Sequence, residues 1–362
     1  MNRSKRICNL KSAMTEFGLD GILISRLENR VFLSGFDGSA GYLLISKSRN
    51  LVIIDFRYRE QARQQSGEWY EIIEVSGKLS EWLPALMEQH GIDRMGLEGD
   101  TIPFIDYQEI ITASKNTRKP VELVSATELL DRIRLIKDCD EIASIQRAVQ
   151  ATEQAMSFAI ETAVLPGLTE KQIAWEIEKY VRENGGNTAF PIIVASGGNS
   201  AMPHAQPSQK VIEYGEPILI DLGVRLDGYC GDMTRTLCLG GQTDIFKNVY
   251  HTVYKAKQAA IRAVKSGMAA AEIDLTARKF IEDAGYGEYF KHSVGHGIGL
   301  AVHERPWLSG RSEDMIKDGM VFTIEPGIYI PDWGGVRLED DYVLECGKIK
   351  ALSGLEKRKG SN

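Results

Sequence analysis

The sequence predicts two domains of different class, an α/β domain over residues 1–132 followed by an α+β domain over 133–362. Three observations predict this. The chain has 362 residues, more than one hydrophobic core usually organises. Its first third alternates short apolar runs with helix-like stretches, the α/β signature. From about residue 125 the alternation stops, and runs of helix and runs of strand replace it, the α+β pattern.

Each element has its own justification. "LDGILIS" (19–25), "AGYLLIS" (40–46), "NLVIIDF" (50–56) and "YEIIEVS" (70–76) are short apolar runs that read as strands. "SEWLPALMEQHG" (80–91) is amphipathic and stops at Gly91, so it reads as a helix. "SGFDGSAG" (34–41) lacks the spacing of a phosphate-binding loop and reads as a plain loop between strands. Residues 125–164 are helical, with a break near Lys137 and Asp138 that marks the domain boundary. In 166–186, Thr169 and Gln172 form a capping box and Gly185-Gly186 ends the helix. Two more helices cover about 244–265 and 270–285. Strands fill "PIIVASG", "EPILIDLGVRLDGYCGDMTRTLCLG", "GMVFTIEPGIYI" and "GVRLEDDYVLE". The tail "GLEKRKGSN" is polar and expected to fray.

Composition excludes several function classes. An apolar fraction of 43% and a charged fraction of 26% are ordinary for a soluble globular protein. A net charge of −7 disfavours an extended nucleic-acid surface. No apolar run reaches a membrane span, and the basic start has no apolar core of a signal peptide. Cys8, Cys139, Cys230, Cys238 and Cys346 form no close-spaced pair, which suits reduced thiols in the cytoplasm.

The chemistry lies in two strand pairs. "ILIDLGVRLDGYCGDMTRTL" reads as a hairpin with Asp221 and Asp232 on its two arms. A turn at Asp227-Gly228 makes the two acids diagonal neighbours, whereas a turn at Leu226-Asp227 makes them opposite. Either register puts them on one face. Glu325 and Glu339 flank a second loop around "PDWGG", and a loop centred on Asp332 sets them opposite each other. Between the pairs lies "KHSVGHGIGLAVHERP", with His292, His296 and His303. Glycines beside His296 permit close backbone approach. Like charges so placed repel unless cations lie between them, and two divalent cations would balance four carboxylates. Oxygen-rich ligation with a single imidazole suits Mn²⁺, Co²⁺ or Mg²⁺ better than a thiolate-type zinc site, and such a pair supports hydrolysis.

The ordered set "ILIDLG…GDMTRT…SVGHGIGLAVHERP…FTIEPGIY…GVRLEDDYVL" resembles the metallopeptidase family of Xaa-Pro aminopeptidases, prolidases and methionine aminopeptidases. The resemblance covers almost the whole chain. It implies a pita-bread catalytic domain with pseudo-twofold halves, preceded by a creatinase-type N-terminal domain that would limit substrates to free N-termini or short peptides. It implies that Asp221 chelates one metal, that Asp232 and Glu339 bridge two, and that His296 and Glu325 bind the second. Glu325 would also shuttle a proton. His204, in "NSAMPHAQPS", and His303 match the family's substrate-side histidines, with His303 beside the reacting carbonyl. His292 and Arg337 match groups lining the site in the proline-specific enzymes, and Arg337 also has acids within pairing reach. His90 and His251 match nothing.

The implied activity is a cytosolic Xaa-Pro aminopeptidase. It would be loaded with two divalent ions, Mn²⁺ in the first place with Co²⁺ or Zn²⁺ as alternatives, and would act as a homodimer on peptides with proline second. The nearest rival is a prolidase confined to Xaa-Pro dipeptides, which shares every ligand. The loop at 35–45 looks more like the aminopeptidase branch. A metal-free creatinase-like hydrolase or a non-catalytic peptide-binding protein is disfavoured by retention of all five ligands.

Overall fold

The structure is a computed structural model that describes residues 3–355. The chain divides into two compact units, Met1–Arg134 and Leu135–Asn362. Of the polar tail, residues 356–362 lie outside the described residues.

The first unit is built on a six-stranded mixed sheet. Its spatial order is Glu71–Glu74, Asn50–Ile54, Tyr42–Ser46, Gly21–Ile24, Arg94–Leu97, Glu122–Ser125. Gly21–Ile24 pairs antiparallel with Tyr42–Ser46 and parallel with Arg94–Leu97. Leu23, Leu44, Ile53, Leu83 and Met95 share one buried cluster that holds sheet and helix together. The expected helix over 80–91 is Leu79–Gln89, followed by Gly91 at a left-handed φ of 63°. The stretch 34–41 does not join two strands as expected. Leu27–Ser34 is a helix that ends on Gly35 at φ 84°, so the loop leads from helix to strand.

The second unit has two halves, each with its own core. Met156, Ile173, Val194 and Ile220 belong to one cluster, and Val253, Ile273, Phe322 and Val336 to the other. The helical run breaks at 136–138, where Asp138 caps Cys139–Phe158 through a box with Glu141. The Thr169–Gln172 capping box opens the helix Glu170–Glu183. The halves echo each other. Gly167 and Gly267 both turn the chain at positive φ. Thr169 and Ala269 then make single bridges to Val211 and Met315, the helices Glu170–Glu183 and Ala270–Asp283 follow, and Gly185 and Gly285 end the pattern at positive φ.

Each half contributes one hairpin to the centre. In the first, Leu226 pairs Tyr229 and Thr234 pairs Asp221. The turn is Asp227-Gly228, with φ of 51° and 84°, the two positive values a tight two-residue turn demands. Asp221 and Asp232 are therefore diagonal neighbours. In the second, Ile330 pairs Gly334 around Asp332 at φ 63°, and Ile324 pairs Asp340 in the same register. That register places Glu325 opposite Glu339, in the short gap between two paired stretches.

Candidate metal centre

The nine residues singled out as ligands or substrate groups all line one cavity of about 320 Å³. Asp221, Asp232, His296, Arg337 and Glu339 are buried, while His204 and His303 are exposed at its rim. One donor atom each from Asp232, His296 and Glu339 lies within 4.8 Å of the others.

His296 sits on the three-residue strand Gly295–Gly297. A Cβ on Gly295 would meet the Thr323 carbonyl at 2.1 Å, and one on Gly297 the Arg305 carbonyl at 2.2 Å. Only glycine lets the strand wedge between its neighbours there. The His296 Nδ1 faces the Gly297 carbonyl at 3.1 Å, which assigns the ring proton to Nδ1. Nε2 then presents its lone pair to the acids, 3.4 Å from Glu325 Oε1 and 3.8 Å from Asp232 Oδ2. Burial, with the neighbouring His303, pulls His296 down to about 3, so the ring stays neutral and able to ligate.

The acids are crowded and under-satisfied. Burial first, then the Glu339 and Asp221 charges, pushes Asp232 well above the carboxylate range. Burial and Glu325 do the same to Glu339. Glu325 is pushed up to about 8 by burial, although Arg337 pulls the other way. Asp221 Oδ1 and Asp232 Oδ1 are buried with no hydrogen-bond partner among the described residues. Buried carboxylate oxygens without donors are costly. These two acids, with Glu325 and Glu339 around a neutral imidazole, form a donor set that fits divalent cations.

Arg337 is spent on this cluster. Its Nη2 donates to Asp221 Oδ2 at 2.5 Å, Nη1 to the Tyr329 hydroxyl at 2.7 Å and to the Pro203 carbonyl at 3.2 Å, and Nε to Thr234 Oγ1 at 3.0 Å. Thr234 passes the contact on, its hydroxyl donating to Glu339 Oε2 at 2.6 Å. The Tyr329 hydroxyl meets His292 Nε2 at 3.0 Å, while His292 Nδ1 faces the Ser293 carbonyl at 2.8 Å.

Sequence reasoning missed Thr234, Tyr329 and the partners of two acids. Tyr329 had a signal, since it shares the strand face of Glu325 by the period of two. Asp340 follows Glu339 in the chain. It is 1% exposed and bound by Lys257, by Arg235 Nη2 at 2.7 Å and by the Ser353 hydroxyl at 2.6 Å. These partners hold it near 2 despite its burial. Asp341 accepts the Asp232 backbone N–H at 2.9 Å.

Comparison with known proteins agrees with this architecture. Residues 143–345 match Metallopeptidase family M24, and residues 6–136 match the Creatinase/Prolidase N-terminal domain. The chain is 40% identical to the uncharacterized peptidase YqhT of Bacillus subtilis, over 92% of this chain and 94% of that one. It superposes on the solved Xaa-Pro dipeptidase from Bacillus anthracis with TM-score 0.91 and 38% identity, covering 97% of each chain. The X-Pro aminopeptidase from Thermotoga maritima gives TM-score 0.84 at 35% identity, covering 95% of this chain and 97% of that one. The expected pita-bread unit behind an α/β N-terminal domain is thus borne out, and the chain belongs to metallopeptidase family M24, with a creatinase/prolidase-type N-terminal domain.

Proposed function

We propose that the protein is a metal-dependent exopeptidase that hydrolyses the bond between an N-terminal residue and a following proline. One observation carries the reading. Two hairpins and one glycine-flanked strand bring four carboxylates, two of them with an unpartnered buried oxygen, and a neutral imidazole into a single cavity. Asp221, Asp232, His296, Glu325 and Glu339 would hold two divalent ions, Mn²⁺ on this reading, with Asp232 and Glu339 shared between them. When bound, the ions supply a water-derived nucleophile at neutral pH and offset charge that develops on the scissile carbonyl.

The chain's own groups do the rest. The proline nitrogen has no hydrogen of its own and must gain one to leave. Glu325, a half-buried carboxyl in the cavity 3.4 Å from His296 Nε2, is placed to take a proton from water and hand it to that nitrogen. His303 and His204, exposed at the rim, are placed to donate hydrogen bonds to the substrate. His292 lines the wall. Arg337 orients Asp221 and Glu339, its donors being already engaged.

A second reading, a strict Xaa-Pro dipeptidase, is favoured by the name of the Bacillus anthracis relative. Both readings share the Xaa-Pro dipeptide as substrate. The reading carries a cytoplasmic homodimer with it. Among the described residues no disulfide joins the cysteines, and no helix is long and apolar enough to cross a membrane.

The test is incubation with Ala-Pro, Ala-Pro-Ala and Met-Ala-Ser, with and without chelator. Hydrolysis of the proline peptides should vanish with chelator and return with Mn²⁺. Cleavage that survives thorough metal removal sinks the reading. Cleavage of Ala-Pro alone selects the dipeptidase.

A further inference from the structure

Beside the candidate centre lies a second, more open cavity of about 800 Å³. The first turns of the helix Glu170–Glu183 form one wall, and the 206–209 segment another. Pro191 and Gln206 line both cavities, so the two adjoin. Trp175 stands in the helical wall with 62% of its surface exposed. Such exposure is expensive for the largest side chain, and its ring is suited to packing against a ligand.

The partition between the cavities is held rigidly. Glu170, fully buried, accepts from the Ser196 N–H at 2.7 Å and from the Ser208 N–H and hydroxyl at 3.0 and 2.7 Å. Asn199 Nδ2 and the Ser196 hydroxyl add bonds of 3.1 Å. Both ends of the segment carrying His204 and Gln206 are thereby tied to the first turn of the helix that bears Trp175. Charge-assisted bonds of this kind preorganise a wall.

We infer that this groove binds the part of a peptide substrate C-terminal to the scissile bond, with Trp175 packing against it and Gln206 at the threshold. The inference rests on the exopeptidase reading above. An enzyme that removes the first residue leaves only the C-terminal side of its substrate to emerge. The site cavity, at about 320 Å³, is near the lower limit of ligand pockets, so a longer peptide must continue outside it. Trp175 and the glutamines of the lining, beside one lysine and one glutamate, offer stacking and hydrogen bonds to a peptide backbone.

Trp175→Ala in the full Mn²⁺-loaded chain tests this, with Ala-Pro and Ala-Pro-Ala-Ala-Ala as substrates. The pentapeptide kcat/KM should fall about three- to tenfold, the size of one aromatic contact, chiefly through KM. The Ala-Pro value should hold. Equal effects on both substrates, no effect on either, or a parent enzyme that cleaves Ala-Pro but not the pentapeptide would each overturn the groove. A parent that cleaves neither defeats the exopeptidase reading instead. Calorimetric binding of a pentapeptide with its first bond reduced then decides the groove alone. Weaker binding by Trp175→Ala supports it, and unchanged binding overturns it.

Discussion

Glu339 and Asp340 are chain neighbours with opposite needs. Glu339 turns to the cavity, where burial and Glu325 raise its pKa. Asp340 turns away, and two cationic side chains keep it ionised. Removing the first should empty the centre. Glu339→Ala or Asp232→Ala should cost two bound metals and activity on the order of 10³-fold or more, read by elemental analysis and kcat. Full metal content and rate in either variant would refute the sharing of Asp232 and Glu339. Thr234→Val keeps the shape but breaks the link from Arg337 to Glu339. Such support around metal ligands carries about 10–100-fold of affinity, measurable by Mn²⁺ titration. Lys257→Met, by contrast, should leave metal affinity largely intact and lower stability. It strips a buried partner from Asp340, which costs about 3 kcal/mol in chemical denaturation.

At the scale of elements, the centre depends on how strands are turned and wedged. Gly295→Ala sets a methyl 2.1 Å from the Thr323 carbonyl. The His296 strand must then move, and metal binding should fall together with a lowered Tm. A variant with normal Mn²⁺ affinity would show that the wedge has slack. These elements were also the most legible in the sequence. Asp-Gly at 227–228 was one of two turns the sequence offered, a loop centred on Asp332 one way to close the second pair, and Thr169 with Gln172 announced a helix start, because each signal is local. Less legible were the helices Arg3–Glu16, Leu27–Ser34 and Arg59–Gln65. They are short or mostly polar, so periodicity barely marks them. Partners such as Lys257 for Asp340 and Glu170 for Ser208 lie 83 and 38 residues away, where no sequence window reaches.

For the whole molecule, the clustered acids make stability a function of pH and metal together. A carboxyl whose folded pKa is raised stabilises the fold while protonated and loses that contribution as pH climbs through the folded value. For Glu325 the window runs from 4.5 to about 8. The buried neutral histidines act oppositely, since His292 and His296 are pulled from 6.5 to about 3 and favour folding as pH rises toward 6.5. Above that value the acids dominate. Metal-free protein should therefore lose Tm between about pH 6.5 and 8.5, and the Tm gain on adding Mn²⁺ should be larger at the higher pH. Thermal unfolding with and without chelator at both pH values checks this. A metal-induced gain that shrinks with pH would contradict the raised acids.

The alternation along Arg337, Leu338, Glu339, Asp340 and Asp341 also governs what a change of length would do. One residue lost from the loop at Asp332 would slip the strand and exchange its faces. Asp340 would then enter the cavity in place of Glu339, and Asp341 would meet Lys257. The slipped chain would still show a carboxylate to each side, but one methylene shorter toward the cavity. Arg337 would leave the cavity face and Leu338 would replace it, so Asp221 would lose its guanidinium. In this hairpin a frame error of one position would therefore keep a carboxylate on each face yet strip the cavity of its one guanidinium.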